Sequence, residues 1–218
     1  MERLHGAGDR RSAAAAVSGA GKRRRVDSAR DLRFDSRMFG ALKKLFSGED
    51  AETRAARLQM TTDLADPRRA FVWGVVAVSY KLDPGYLKAH ATEAIRDWYG
   101  ISSAQQLLGF RAEHFGTRSH PAYNQYRLVF LARAGFGAGL IDAETSWGWA
   151  MREAAVVQQH YGSWQDYGQG YVAGHLEYRA SQGDPPARLE EIRGNLTTQL
   201  AAKQREVWVA VPFHTPMG

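Results

Sequence analysis

The sequence predicts an all-α protein, an irregular multi-helix bundle of about seven to nine helices with at most one short C-terminal strand. Three observations predict it. Aspartate precedes proline at Asp66-Pro67, Asp83-Pro84 and Asp184-Pro185, pairing an N-cap acceptor with a residue suited to the first helical turn. Apolar residues between such marks recur at three- and four-residue spacing. Only Val207–Val211 alternates in the manner of a strand, and one short strand does not make a sheet.

Helices are expected over 35–46, 50–59, 67–80, 84–98, 102–115, 120–138, 142–161, 163–181 and 185–203. In the segment after Asp83-Pro84, Leu87, Ala91, Ala94, Ile95 and Trp98 share a face. Ser102 with Gln105 resembles a capping box, and Leu108, Ala112 and Phe115 follow on one face. Tyr123, Tyr126, Val129, Phe130 and Ala134 give the next stripe, and Trp147, Met151, Ala154, Ala155 and Tyr161 the one after. Ser163 with Asp166 starts a further helix, whose stripe is Trp164, Tyr167, Tyr171, Gly174 and Tyr178. Gly100, Gly116, Gly162 and Gly183 fall where helices should stop. No repeat of fixed period is visible.

The domain expected is 35–218, a length suited to one core. It follows a basic tail, 1–31, with no aromatic residue and too little apolar surface to offset the entropy of ordering. The net charge of +6 belongs largely to that tail: residues 1–34 hold nine Lys or Arg against four Asp or Glu. The remaining body is almost neutral, which argues against a domain that reads nucleic acid. Lys22, Arg23, Arg24 and Arg25 form the densest run, open to nucleic acid or an anionic membrane, or to nothing but solvent. A start at Met38 would remove the tail. Arg10 and Arg11 before Ser12–Val17 weakly suggest a twin-arginine signal, but the apolar stretch is short and basic residues follow it. No stretch approaches the roughly 18 apolar residues of a membrane span.

The chemistry available is narrow. There is no cysteine, so disulfides, thiolate metal ligation and a cysteine nucleophile are excluded, and a cytoplasmic location is expected. Gly19–Arg25 fails as a phosphate loop: Ala16 stands where its first glycine belongs, and Arg23 follows Lys22. Gly135, Gly137 and Gly139 follow a helix rather than a strand and read as packing or termination positions. The histidines at 5, 90, 114, 120, 160, 175 and 214 form no i,i+4 pair, so no metal site and no cofactor is expected. Each lone histidine reads as surface or helix C-terminus. No G-x-S-x-G elbow occurs, and Asp142 reads as an N-cap rather than a base.

Two features resist that bland reading. A polar set, His120, Asn124, Gln125 and Arg127, opens an otherwise apolar helix. Three tryptophans and four tyrosines crowd residues 145–178. They make either core or a groove of aromatic faces.

From Trp98 onward a family pattern is visible. Trp98-Tyr99-Gly100-Ile101-Ser102 is similar to a W-G-I-S step. Gly135–Trp147 resembles a G-Y-x-x-G-Y-I-x-x-x-E-A-W block, and Ser163-Trp164 with Tyr171 and Gly174 resembles an S-W-x-x-[FY]…Y-x-x-G block. Together they resemble the bacterial domain of unknown function 1266 family over roughly residues 70–181. The sequence departs at Asn124-Gln125, where that family tends to have Trp-Asp. The resemblance implies a compact helical domain and assigns no activity and no catalytic residue.

Two functions are expected to compete. One is a non-enzymatic module that binds a protein partner through a groove between 120–138, 142–161 and 163–181, using Trp164 and Tyr171. The other is a small-molecule enzyme or sensor whose pocket gathers His120, Asn124, Arg127, Glu144 and Trp147. There Arg127 would hold an anionic group and His120 would move a proton.

Overall fold

The computed structural model describes residues 59, 62–79, 90–110, 112–116, 119–206 and 208–217. The tail with Lys22–Arg25, the helix expected over 35–46, that over 50–59 but for its last residue, and residues 80–89 lie outside the described residues. The described elements are α1 (Pro67–Val76), a π-helical turn (Ala94–Trp98), α2 (Ala104–Leu108), a 3-10 turn (Ala112–Phe115), α3 (Pro121–Gly137), α4 (Ala143–His160), α5 (Trp164–Ser181) and α6 (Pro186–Glu206). Among the described residues there is no strand.

Local chemistry sets the helix ends. Asp66 caps α1 by accepting from the Arg68 and Arg69 amides, at 2.9 and 3.4 Å. Asp142 caps α4 through the Thr145 amide at 2.7 Å, and that bond holds its carboxyl below the usual range. Ser163 accepts from the Asp166 amide at 3.0 Å while Asp166 accepts from the Gly162 amide, a box shifted by one residue. The box expected at Ser102 is built instead on Ser103, which accepts from the Gln106 amide, and the Gln106 side chain reaches back to the Ser102 amide.

Two expectations need correction. The single helix over 102–115 is broken. The Gly109 amide closes onto the Gln105 carbonyl, and the Phe110 amide onto that of Leu107. Phe110 then folds back to meet Tyr99 and Phe115, with ring centroids 5.7 and 5.2 Å away. Leu107 is the buried residue of α2, and Leu108 is 55% exposed. The strand over 207–211 is replaced, in its described part, by a turn. Trp208 and Val211 face the core, and the Val211 carbonyl accepts from Trp164 Nε1 at 2.6 Å, so it is spent on a side chain rather than a ladder.

α3 is the hub, in contact with α1, α2, α4, α5 and both short turns. Every residue from 128 to 135 is buried, as expected of a helix surrounded on all sides. α5 packs on α3 and α6, and close approach is bought by small residues. A Cβ on Gly174 would lie 2.8 Å from the His120 carbonyl oxygen and 2.9 Å from Tyr123 Cβ. At the other end, Phe71, Trp164, Trp208 and Phe213 form one aromatic stack, with Trp164 and Trp208 parallel at 5.6 Å. Trp208 Nε1 donates to the Gly74 carbonyl at 3.0 Å, pinning the C-terminal segment to α1.

Candidate functional site

The site forms where the first half of α3 faces the second half of α5. The π-helical turn prepares it. Its wider turn lets two consecutive residues reach α3: Trp98 stacks on Phe130 at 6.2 Å, and Tyr99 lies beside Phe130 and Arg127. The Arg127 guanidinium then lies among four rings. Its carbon is 3.9 Å from the Phe115 centroid, 5.1 Å from Tyr178, 5.2 Å from Tyr99 and 5.4 Å from Tyr123. Arg127 Nε donates to the Tyr99 hydroxyl at 3.4 Å, a long bond. Burial opposes its charge, but the Tyr99 and Tyr123 oxygens and the Tyr99 bond outweigh burial and hold its pKa above the usual arginine range. It is a full cation at neutral pH.

Arg127 forms no ion pair with a carboxylate among the described residues, and its Nη1 is buried without a hydrogen-bond partner. The same seam carries two more such atoms, His175 Nδ1 and Glu177 Oε2, both from α5. Glu177 uses its other oxygen to accept from the Ser119 hydroxyl at 3.2 Å. Each buried polar atom left unpaired costs about 1–3 kcal/mol. The His175 ring stacks on Tyr123 at 4.9 Å and meets Tyr171 edge-on at 5.9 Å. Burial first, then the charges of Arg179 and Arg127, push its pKa down to about 3, so it is neutral at pH 7. His175 is therefore neither a surface nor a C-terminal histidine, unlike His160, which ends α4. Burial likewise raises the Tyr123 phenol well above its ordinary range, so it keeps its proton.

The expected pocket residues separate. His120 caps α3 without a side-chain bond and packs its carbonyl and Cβ toward Gly174. The role of side-chain acceptor there passes to Tyr161, whose hydroxyl accepts from the Ala122 amide at 3.0 Å. Asn124 is buried on α3. Tyr171 touches Tyr123 at 5.6 Å and so forms the second layer of the cage. Glu144 is exposed in the first turn of α4, and Trp147 is buried against Arg133, not Arg127. Trp164 belongs to the aromatic stack at the far end of α5. Tyr99, Phe115, Tyr178 and His175 complete the cage. Its sequence signal is the i,i+4 pairs Tyr123/Arg127 and Tyr171/His175, one on each of two helices.

The aromatic residues of 145–178 turn inward: Trp147, Trp149, Trp164, Tyr167 and Tyr171 are all buried. Phe136 is the exposed large apolar residue of α3–α5 among the described residues. Also among the described residues, no group of three His, Asp or Glu could hold a metal, and no helix is long and apolar enough to cross a membrane.

The arrangement of small residues, tryptophans and helices seen here coincides with a family match over residues 41–213, to proteins of unknown function designated DUF1266. The chain belongs to the DUF1266 family. The match extends beyond the resemblance visible over 70–181, and takes in α6 and the turn that carries Trp208. No curated protein and no solved structure matches the chain.

Proposed function

We propose that this DUF1266 domain is a small-molecule-binding module, and that the seam between α3 and α5 takes a ligand with an acidic group. The carrying observation is Arg127: a buried cation held in place by four rings, with Nη1 unpartnered and no carboxylate paired to it among the described residues. A carboxylate or phosphate oxygen would accept from Nη1, as arginine geometry favours. Tyr99 and Tyr178, both half-buried, would border an adjoining apolar or aromatic part of the ligand. Glu177 Oε2 would accept from its N–H or O–H groups. Neutral His175 can give or take a hydrogen bond without adding charge.

The alternative, a protein-binding groove, would need aromatic faces exposed on α3–α5, and those rings are buried. Thermal melting of the full chain against carboxylate and phosphate metabolites tests the reading. A compound present at about 100 times its dissociation constant adds about 2.7 kcal/mol, a rise of roughly 5 °C or more. Arg127→Met should abolish that rise. If no acidic compound raises the melting temperature, or the rise survives in Arg127→Met, the seam is a structural core and not a site.

A further inference from the structure

The other side of α3 holds a second buried arginine in a different setting. Arg133 is 7% exposed, within the stretch of α3 buried on all sides. Its Nη1 donates to Ser146 Oγ at 2.9 Å, and that hydroxyl donates to the Ala132 carbonyl at 2.8 Å. Its hydrogen-bond acceptor is therefore neutral. The guanidinium carbon lies 3.6 Å from the Trp147 centroid and 5.7 Å from Trp73. Arg69, from α1, leans on the same Trp147 ring at 4.9 Å. The buried carboxylate at hand, Asp63, accepts from Arg69 Nη1 at 3.2 Å and from Gln59 Nε2 at 3.2 Å. Asp66 stands 3.8 Å from Arg69 Nε, beyond hydrogen-bond distance.

The unpaired atoms in this cluster are all donors: Arg69 Nε, Trp73 Nε1 and Arg133 Nε are buried without an acceptor. The α3–α5 seam, in contrast, is short of both donors and acceptors. A group that accepts from three N–H donors, donates to none and offsets one positive charge is a monovalent anion. It must also be small, because Trp73 and Trp147 already meet edge to face at 6.3 Å and Arg133 lies flat on Trp147. Access runs past half-exposed side chains: Arg69 is 34% exposed, and Phe136, 5.4 Å from the Arg133 guanidinium, is 42% exposed.

We propose that Arg133, Trp73 and Arg69 form a binding site for a halide-sized monovalent anion, chloride in the cell, independent of the Arg127 seam. The experiment uses the full chain melted in increasing sodium bromide, at constant ionic strength made up with sodium gluconate, whose anion is too large for the cluster. It is paired with an anomalous diffraction map of a bromide-grown crystal. We expect a saturable rise in melting temperature and a bromide within hydrogen-bond distance of Arg133 Nε and Trp73 Nε1. Trp73→Phe keeps an aromatic ring and removes one donor, and should raise the half-saturating bromide concentration about tenfold. A non-saturable response, or a cluster occupied by water with no bromide peak, overturns the proposal. So does an unchanged midpoint in Trp73→Phe. The wild-type map and titration decide the matter even if the variant fails to fold.

Discussion

Arg127 and Arg133 lie six residues apart on α3, about 120° apart around its axis, and solve the burial of a guanidinium in different ways. Arg127 is wrapped by four rings drawn from four elements, keeps its charge firmly and leaves donors and acceptors unpaired beside it. Arg133 lies flat on Trp147 with Phe136 and Trp73 farther off, bonds a neutral hydroxyl, and has its pKa pushed down to about 10, chiefly by burial, which Asp63 opposes in part and Arg69 reinforces. Rings stabilise a cation without supplying a counter-charge, whereas burial beside another cation asks for one. The comparison teaches that the two positions should answer to different ligands, one organic and acidic, the other a bare anion.

The largest effect is expected where the seam's charge balance is closed. The buried pair Arg179–Asp184 joins the end of α5 to the turn before α6, at 2.5 Å. Asp184→Asn leaves Arg179 charged beside His175 and should cost about 3 kcal/mol in urea unfolding. Little change there would show that the charges around the seam are better screened than the burial implies. Next is the seam's spacing. Gly174→Ala forces a Cβ against the His120 carbonyl and should cost about 2 kcal/mol while weakening any ligand at Arg127. The halide response of the Arg133 cluster should survive it.

His175 gives the comparison a pH axis. Its folded-state pKa, about 3, lies below its ordinary 6.5. Between those values the unfolded chain takes up a proton that the native state excludes. Stability is therefore fully present above pH 6.5 and is lost as pH falls toward 3, by up to about tenfold in the folding constant per pH unit. Urea melts at pH 7, 5 and 4 should show that fall, and His175→Phe should flatten it. The smallest effect should lie away from both arginines. Ser163→Ala removes the α5 cap and should cost about 1 kcal/mol, with ligand and halide responses unchanged.

Much of the frame was legible because it is written locally. Asp142, Ser163 and Pro121 set the starts of three long helices, which lie within a residue of the expected bounds at 121–137, 143–160 and 164–181. The segment 102–115 was not legible, since Gly109 looks harmless in a helical stripe and its effect depends on Phe110 finding Tyr99 and Phe115. The site was half legible. Arg127 and Tyr171 stood out by type and spacing, but Tyr99, Phe115 and Tyr178 reach Arg127 only through packing. Glu144 and Trp147 belong to α4, which turns Trp147 to Arg133 and leaves Glu144 exposed, so neither joins Arg127. Arg133 gave no signal, because a single cation in an apolar stripe looks like an exposed position.

The most direct test of the account is calorimetric titration of wild type, Arg127→Met and Arg133→Met with the acidic compound that most raises the melting temperature, in fixed chloride. The account predicts binding to wild type and Arg133→Met, and a loss of at least tenfold in affinity for Arg127→Met. Equal affinity for wild type and Arg127→Met, or loss only in Arg133→Met, would contradict it.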